Sequence, residues 1–382
     1  MMKSIPLLVL SIILTFSTVA KAENKQRVEA IIKPLMEKYQ IPGMAIAITL
    51  NGKNDFYNYG VASKETRQPV TNQTLFEIGS LSKTFTATLA SWAQQQRKIA
   101  WERPASQYLP TLKGSAFDHI SLLNLATHTS GLPLFVPDDI KTDEQLFSGL
   151  SQWHPAQPVG KQRVYSNIGI GLLGVITAKS LNQPFSDVMQ QRLLPALGLH
   201  HTFVQVPNDK LVDYAQGYNK QNSPVRLNPG VLDAEAYGLK SSSADLIRYL
   251  TIQLHNQPIE ASWQNAIDAT HIGYYQVAGK AGFTQNLMWE SSAYPSSLQT
   301  LLENNGSKNI TQPQNATLII PPQSALEQAI YNKTGSTGGF SAYALFVPIK
   351  KMGIVILANK AYPNEARVKA AYEILAAMNH GF

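Results

Sequence analysis

Short apolar runs lie near both ends of the 382-residue chain, and the long stretch between them has a mostly helical pattern. Near the N-terminus, residues 44–50 and 55–61 flank an Asn51-Gly52 turn, which is the pattern of a β-hairpin. The C-terminal runs are residues 329–334, 341–346 and 353–359. Strands this far apart in sequence can form one sheet only if the C-terminal part of the chain lies beside the N-terminal hairpin. We therefore predict an α/β unit built from both ends, with a helical region inserted.

Helical periodicity and breaker residues divide the rest of the chain. We expect residues 23–79 and 230–382 to form the α/β domain and residues 80–229 to form a mostly helical domain. One short strand is expected at 202–206, and the Asn-, Gly- and Ser-rich residues 303–316 are interpreted as a flexible loop. The predicted helices cover residues 26–40, 82–95, 121–127, 168–181, 185–197, 243–255 and 365–378.

The first 22 residues have the pattern of a secretory signal peptide. Lys3 supplies a positive start, residues 5–19 are almost wholly apolar, and the small residues Ala20 and Ala22 suit a signal peptidase. The apolar run is shorter than the roughly 20 residues of a membrane-spanning helix. We expect cleavage after Ala22, a periplasmic product with no stable membrane association, and a monomer.

Charge and cysteine content exclude several classes of function. Removing the two lysines of the predicted signal peptide would lower the net charge from +7 to +5, and the basic residues are scattered rather than clustered. We therefore expect no nucleic-acid partner. The chain has no cysteine, which excludes disulfides, thiolate metal sites and a cysteine nucleophile. No spacing typical of a zinc site is present, and we expect neither a metal nor a cofactor.

A Ser-x-x-Lys motif, residues 80–83, precedes the predicted helix 82–95. Residues i and i+3 share one face of a helix, so the amine of Lys83 can approach the hydroxyl of Ser80. Free backbone N–H groups at a helix start can also stabilise an oxyanion. The pattern is common in unrelated proteins, and alone it predicts no more than a helix start.

Two further motifs change this interpretation. Tyr165-Ser166-Asn167 lies just before a predicted helix, and Lys333-Thr334-Gly335, followed by Ser336, ends a predicted strand. Either motif alone is explained by a helix cap or by a strand that runs into a turn. All three occur in the order, and on the kinds of element, that penicillin-recognising serine enzymes require.

With these motifs, the chain resembles the class C β-lactamases over nearly its whole mature length. The further matching stretches are residues 41–45, 75–80, 235–238, 358–360 and 364–368. The resemblance implies a β-lactamase/transpeptidase-like fold, in which an antiparallel sheet flanked by helices carries an inserted helical domain. It also implies hydrolysis of the amide bond of small-molecule β-lactams, cephalosporins above all.

The resemblance implies three catalytic residues. Ser80 would attack the lactam carbonyl and form an acyl-enzyme. Lys83 and Tyr165 would take the proton and later activate water, and the residues alone do not decide which of the two is the base. A free tyrosine has a pKa near 10, so forming its anion at pH 7 costs about 4 kcal/mol. Two nearby ammonium groups, Lys83 and Lys333, would lower that cost.

The same resemblance implies the substrate-binding residues. Asn167 would orient Lys83 and bind the substrate's side-chain amide, while Lys333 and Thr334 would contact the substrate carboxylate and tune Tyr165. The backbone N–H of Ser336 would complete an oxyanion hole with that of Ser80, and Gly335 would lie next to Ser336 in the site. The remaining implied residues are the pocket residue Tyr237, and Asn364 and Arg367 near the carboxylate.

The chain departs from the family pattern beside the site. His128 stands where these enzymes generally have tyrosine, and Phe135 replaces a glutamine that helps to hold the substrate's amide. Two alternatives therefore stay open: a related peptidase acting on D-Ala-D-Ala peptides or an esterase, and a penicillin-binding sensor that is acylated without turnover. The literal G-x-G-x-x-G of residues 169–174 follows no strand, and we interpret it as close helix packing.

Overall fold

Strands from both ends of the chain meet in one sheet in the computed structural model, which describes the backbone of residues 7–378 and the side chains of residues 22–378. The strands are β1 (Gly43–Leu50), β2 (Lys53–Gly60), β3 (Phe76–Glu77), β4 (Gln162–Arg163), β5 (Thr202–Phe203), β6 (Gly217–Tyr218), β7 (Pro224–Val225), β8 (Lys240–Ser241), β9 (Gly273–Val277), β10 (Phe283–Gln285), β11 (Glu290–Ala293), β12 (Gln314–Gln323), β13 (Ala329–Ser336), β14 (Ser341–Val347) and β15 (Met352–Ala358).

The main sheet has ten strands in the order β2-β1-β15-β14-β13-β11-β10-β9-β12-β4. Its neighbouring strands pair antiparallel, as the family resemblance implied. The predicted hairpin is confirmed, and the register of β1 against β15 sets Ala47 opposite Val355. The N-terminal hairpin therefore pairs directly with the last strand of the chain.

Both faces of β1 and β15 are buried, and almost all of their residues are apolar. In β1, Ala45 and Ala47 face one core cluster, whereas Met44 and Ile46 face another. The period-2 alternation of a strand explains this division. The second face is covered by the first and last helices of the chain, which pack against each other.

In the part of the chain that the structure describes, fourteen α-helices surround the sheet and fill the inserted region. They are α1 (Leu7–Tyr39), α2 (Ser82–Gln95), α3 (Ala105–Tyr108), α4 (Leu122–Ala126), α5 (Asp143–Gln152), α6 (Asn167–Ser180), α7 (Phe185–Val188), α8 (Leu194–Ala196), α9 (Asp233–Ala236), α10 (Ser243–Gln253), α11 (Ala261–Ala269), α12 (Leu298–Asn304), α13 (Lys308–Thr311) and α14 (Asn364–Met378). The predicted helix 185–197 is divided by a π-helical turn at Met189–Leu193.

Glycines of the G-x-G-x-x-G stretch allow α6 to pack closely, as predicted. A Cβ atom on Gly171 would lie 2.7 Å from the side chain of Leu232, and one on Gly174 would lie 2.6 Å from that of Glu235. Glu235 belongs to α9, and Leu232 precedes that helix. The motif is therefore a helix-packing device that holds the segment before Tyr237 against α6.

The interpretation of residues 303–316 as a flexible loop is wrong. This segment contains the end of α12, the short helix α13 and the start of β12. Its asparagine side chains stabilise the backbone rather than loosen it: Asn309 donates to the carbonyls of Glu303 and Asn304, and Asn305 donates to that of Leu301. Composition alone suggested a loop because these residues also favour turns.

The predicted signal peptide lies almost entirely outside the residues whose side chains are described. The backbone there continues as α1, which begins at Leu7 rather than at residue 26. Within the described part of the chain, no helix is both long and apolar enough to cross a bilayer.

Candidate active site

Ser80 lies in a single 3-10 turn, Gly79–Leu81, that leads directly into α2. The Nζ atom of Lys83, one helical turn on, donates a 2.9 Å hydrogen bond to Ser80 Oγ, as the i, i+3 spacing predicts. Lys83 Nζ also donates to the carbonyl of Ala236 at 2.8 Å. Because Lys83 is fully buried, these contacts hold its amine at the nucleophile.

Glycines allow the backbone of the Ser80 turn to touch the end of β13. A Cβ atom on Gly335 would lie 1.9 Å from the carbonyl oxygen of Ile78, and one on Gly79 would lie 2.4 Å from the backbone nitrogen of Ser336. Gly79 also has a φ of +51°, a conformation that favours glycine. The two segments therefore approach at backbone distance, which brings the backbone of Ser80 and Ser336 to the same place.

Tyr165 is surrounded by cations. Its ring centre lies 4.9 Å from Lys333 Nζ, 5.3 Å from Lys83 Nζ and 5.3 Å from the guanidinium of Arg163. Burial opposes ionisation, but the charges of Lys333 and Lys83 outweigh it and lower the pKa of Tyr165 to about 8. Ser80 also favours the phenolate form, although its oxygen and that of Tyr165 lack good hydrogen-bond geometry.

The pKa of Lys83, like that of Tyr165, lies below its ordinary value. Burial lowers the pKa of its amine to about 8; the neighbouring Tyr165 opposes that shift and Lys333 adds to it. Two groups with matched pKa values beside one serine hydroxyl can share a proton and pass it on. The arrangement is chemically suited to activating Ser80 near neutral pH.

A cavity of about 410 Å³ opens beside Ser80. Eight of the eleven predicted site residues line it, together with six others, of which sequence reasoning had noted only Phe135. The predicted ones are Ser80, Tyr165, Asn167, Tyr237, Thr334, Gly335, Ser336 and Asn364, and the others are Leu134, Phe135, Leu227, Ile310, Thr337 and Gly338.

Lys83, Lys333 and Arg367 lie behind the cavity wall. Lys333 is 1% exposed, and its amine donates to the backbone carbonyl of Thr334 rather than facing the cavity. Arg367, also 1% exposed, donates to the carbonyls of Gly335 and Ala342 and to Ser336 Oγ. Its position differs from the expected one near the substrate carboxylate, because the end of β13 lies between it and the cavity.

Asn167 also differs from its expected role. It lines the cavity, but the hydrogen bonds of Lys83 go to Ser80 and Ala236, and no acceptor from Asn167 joins them in the described residues. The side-chain oxygen of Asn167 is buried without a partner among those residues. An unpaired acceptor at the wall of a cavity is suited to a ligand donor.

Glu77 is an organising residue that the motifs did not indicate. Its buried carboxylate accepts hydrogen bonds from the Tyr214 hydroxyl, the backbone of Leu227 and the Thr337 hydroxyl. It thereby joins three distant segments around Ser80. The only local signal was its place three residues before the nucleophile, and its partners depend on the fold.

Among the described residues, no three His, Cys, Asp or Glu side chains are grouped so that they could hold a metal ion.

Comparison with known proteins agrees with this geometry. The family described as Beta-lactamase matches residues 28–379. A protein named β-lactamase from Providencia stuartii is 53% identical over 356 residues, which are 93% of this chain and 92% of that protein. A class C β-lactamase solved with cefoxitin is 51% identical, covers 93% of this chain and 99% of its own, and superposes with a TM-score of 0.90.

A third comparison bears on the related peptidases. A β-lactamase/D-alanine carboxypeptidase from Pseudomonas syringae is 48% identical, covers 92% of this chain and 98% of its own, and has a TM-score of 0.90. These matches span almost the whole described chain and confirm the fold that the motifs implied. The chain therefore belongs to the β-lactamase family, as a class C serine hydrolase that acts on β-lactams.

Proposed function

We propose that Ser80 is the nucleophile of a cephalosporin-hydrolysing reaction that passes through an acyl-enzyme. Ser80 Oγ attacks the lactam carbonyl carbon, and its proton passes to the Lys83–Tyr165 pair. The ring C–N bond breaks and the nitrogen takes that proton. Water then attacks the ester carbonyl and gives a proton to the same pair, and the Ser80 oxygen leaves and is reprotonated.

One observation carries this proposal: the 2.9 Å hydrogen bond between Lys83 Nζ and Ser80 Oγ, next to a tyrosine held between two lysines. Either Lys83 as a free amine or Tyr165 as a phenolate can take the serine proton, because burial lowers the pKa of the Lys83 amine and, against the effect of burial, the two lysines lower that of the Tyr165 phenol. The pair is the unit that acts as base.

Substrate binding is assigned to residues that line the cavity. The backbone N–H groups of Ser80 and Ser336 would hold the carbonyl oxygen as it becomes negative. Asn167 and Tyr237 would contact the acyl side chain, and Thr334 with Asn364 would contact the carboxylate. Lys333 lies behind these residues and would supply positive charge. Arg367 would position Gly335 and Ser336 through its hydrogen bonds to the Gly335 carbonyl and to Ser336 Oγ.

Location and assembly are part of the same proposal. Signal-peptide cleavage after Ala22 would release a monomer into the periplasm, with no stable membrane association. The cavity would lie between an α/β domain (23–79 and 230–382) and a mostly helical domain (80–229). Support comes from the residues that line it, which belong to both ranges.

The test is steady-state turnover of nitrocefin by purified protein, compared with its Ser80→Ala variant. We expect many turnovers per enzyme, and a loss of at least about 1,000-fold in the variant, because removal of a nucleophile leaves only binding and oxyanion stabilisation. A mass increase equal to one acyl group on the native protein, absent from the variant, identifies the intermediate.

Other outcomes would contradict the proposal. A single burst without steady-state turnover would indicate a penicillin-binding sensor. Ester or D-Ala-D-Ala peptide cleavage without nitrocefin turnover would indicate a related peptidase or esterase. Full activity of Ser80→Ala would remove the serine from the mechanism.

A further inference from the structure

We infer that His128 is a positioning residue for Tyr165, which it holds by hydrogen bonds to the backbone on both sides of that tyrosine. The backbone N–H of Val164 donates to the carbonyl of His128 at 2.7 Å, and the N–H of Ser166 donates to its Nδ1 at 3.1 Å. The imidazole also packs on the Tyr165 ring, with centres 4.2 Å apart. His128 therefore contacts both chain neighbours of Tyr165, Val164 and Ser166, and the Tyr165 ring itself.

The hydrogen bond from Ser166 requires a neutral imidazole. Burial, and then the charges of Arg163, Lys83 and Lys333, hold the pKa of His128 well below its ordinary value. Nδ1 can then accept the Ser166 N–H only if the ring proton is on Nε2. We therefore assign the Nε2–H tautomer to His128.

This arrangement is costly for the fold. His128 is 1% exposed, has a φ of +60°, and buries its Nε2 without a partner among the described residues. Left-handed backbone and unpaired buried donors both destabilise a protein, and they persist where the surrounding structure demands them. A phenylalanine ring at this position would offer no acceptor for the Ser166 N–H, so that hydrogen bond depends on the imidazole of His128.

The inference rests on the proposed role of Tyr165 as part of the base. Its test compares two variants: His128→Phe keeps an aromatic ring but loses the acceptor, and His128→Asn loses the ring but keeps an acceptor in a residue that tolerates positive φ. Rates are normalised to active sites that become acylated. The control is His271→Asn, which alters another fully buried histidine outside the cavity lining.

We expect His128→Phe to lower kcat about tenfold with KM within about twofold, since a tenfold change in rate corresponds to about 1.4 kcal/mol, which is within the range of one hydrogen bond. His128→Asn should restore kcat to within about threefold of the native value. His271→Asn should lower the melting temperature but leave kcat unchanged. A purely structural role for His128 would change stability in the same way and leave kcat per acylated site untouched.

Native kcat in His128→Phe, or an Asn variant no more active than the Phe variant, overturns the inference. Tyr165→Phe in the same assay separates the two proposals, because its full activity would refute the base role itself. If His128→Phe does not fold, ¹⁵N NMR of the histidines in the native protein tests the inference instead. A proton on Nε2 of His128 supports it, whereas a proton on Nδ1 excludes the Ser166 hydrogen bond and overturns it.

Discussion

At the scale of single residues, the chemistry depends on charges that are buried together. Three cations contact the ring of Tyr165, and they come from three separate places: Lys83 from α2, Arg163 from β4 and Lys333 from β13. Arg163 is itself paired with the buried Glu290 at 2.7 Å, whose negative charge raises the pKa of Tyr165. The ionisation of the tyrosine is therefore a balance among side chains that only the fold assembles.

Phe135 is the residue from which we expect substrate preference. Its side chain is 64% exposed and lines both the cavity beside Ser80 and a second cavity of about 220 Å³ that shares Asn167 and Tyr237 with it. A large exposed aromatic ring at a cavity wall can pack against an apolar ligand group. We predict a preference for cephalosporins whose acyl side chain carries an aromatic ring.

The measurement is kcat/KM for two cephalosporins that share a nucleus, one with an arylacetyl and one with an acetyl side chain. Phe135→Gln should lower the ratio of the two constants about 5- to 30-fold, because a lost ring contact is worth about 1–2 kcal/mol. Phe135→Tyr serves as the control that keeps the ring. An unchanged ratio in Phe135→Gln would show that the aryl group binds elsewhere.

At the scale of elements, the site depends on backbone contact between the Ser80 turn and the end of β13. Gly335→Ala would place a methyl group 1.9 Å from the carbonyl oxygen of Ile78, so one segment must move. Overpacking of this kind costs about 1–3 kcal/mol. We predict a loss of stability of that order, with a loss of turnover in the protein that remains folded, since the oxyanion donors separate.

Chemical denaturation and nitrocefin turnover of Gly335→Ala check this prediction. Gly306→Ala is the matched control, because its Cβ atom would meet its nearest neighbour at an ordinary 3.5 Å. Native stability and turnover in Gly335→Ala would mean that the two segments can separate without harm.

At the scale of the whole molecule, sheet and helices bury histidines that must stay neutral. His271 packs against the rings of both Tyr331 and Phe346, and its Nε2 lies 2.6 Å from Gln253 Oε1. Burial, with a smaller effect of His255, lowers the pKa of His271 to about 3. An unfolded histidine titrates near 6.5, so between these values the unfolded chain binds more protons and acid favours unfolding.

We therefore predict that the stability contribution of His271 is complete above about pH 6.5 and is lost as the pH falls toward about 3, at up to about 1.4 kcal/mol per pH unit. The free energy of unfolding at pH 7.5, 5.5 and 4.5 measures this slope. His271→Asn should be less stable at pH 7.5 yet lose less on acidification. If the free energy of unfolding falls equally with pH in both proteins, His271 is excluded as the source of the pH dependence.

Local sequence patterns predicted those helices and strands whose own residues show apolar periodicity and are bounded by turn residues. The bounds of α2, the hairpin of β1 and β2, and the C-terminal strands β13–β15 follow from apolar periodicity and turn residues. The strands β9–β12 were missed, since β9–β11 have only three to five residues of mixed polarity, and the longer β12 contains Pro321 and Pro322 at an irregular pairing. Such strands are stabilised by their neighbours in the sheet, which sequence periodicity does not show.

The sequence by itself determined the family, the nucleophile candidate and most of the cavity lining, because motif order and spacing are properties of the chain. Tertiary structure alone decided that Lys333 and Arg367 lie behind the wall, that Glu77 joins three segments, and that His128 contacts both sides of Tyr165. These facts depend on burial and on distances between segments far apart in the chain. Electrostatics and hydrogen bonding act through space, so their outcome is settled only when the chain has folded.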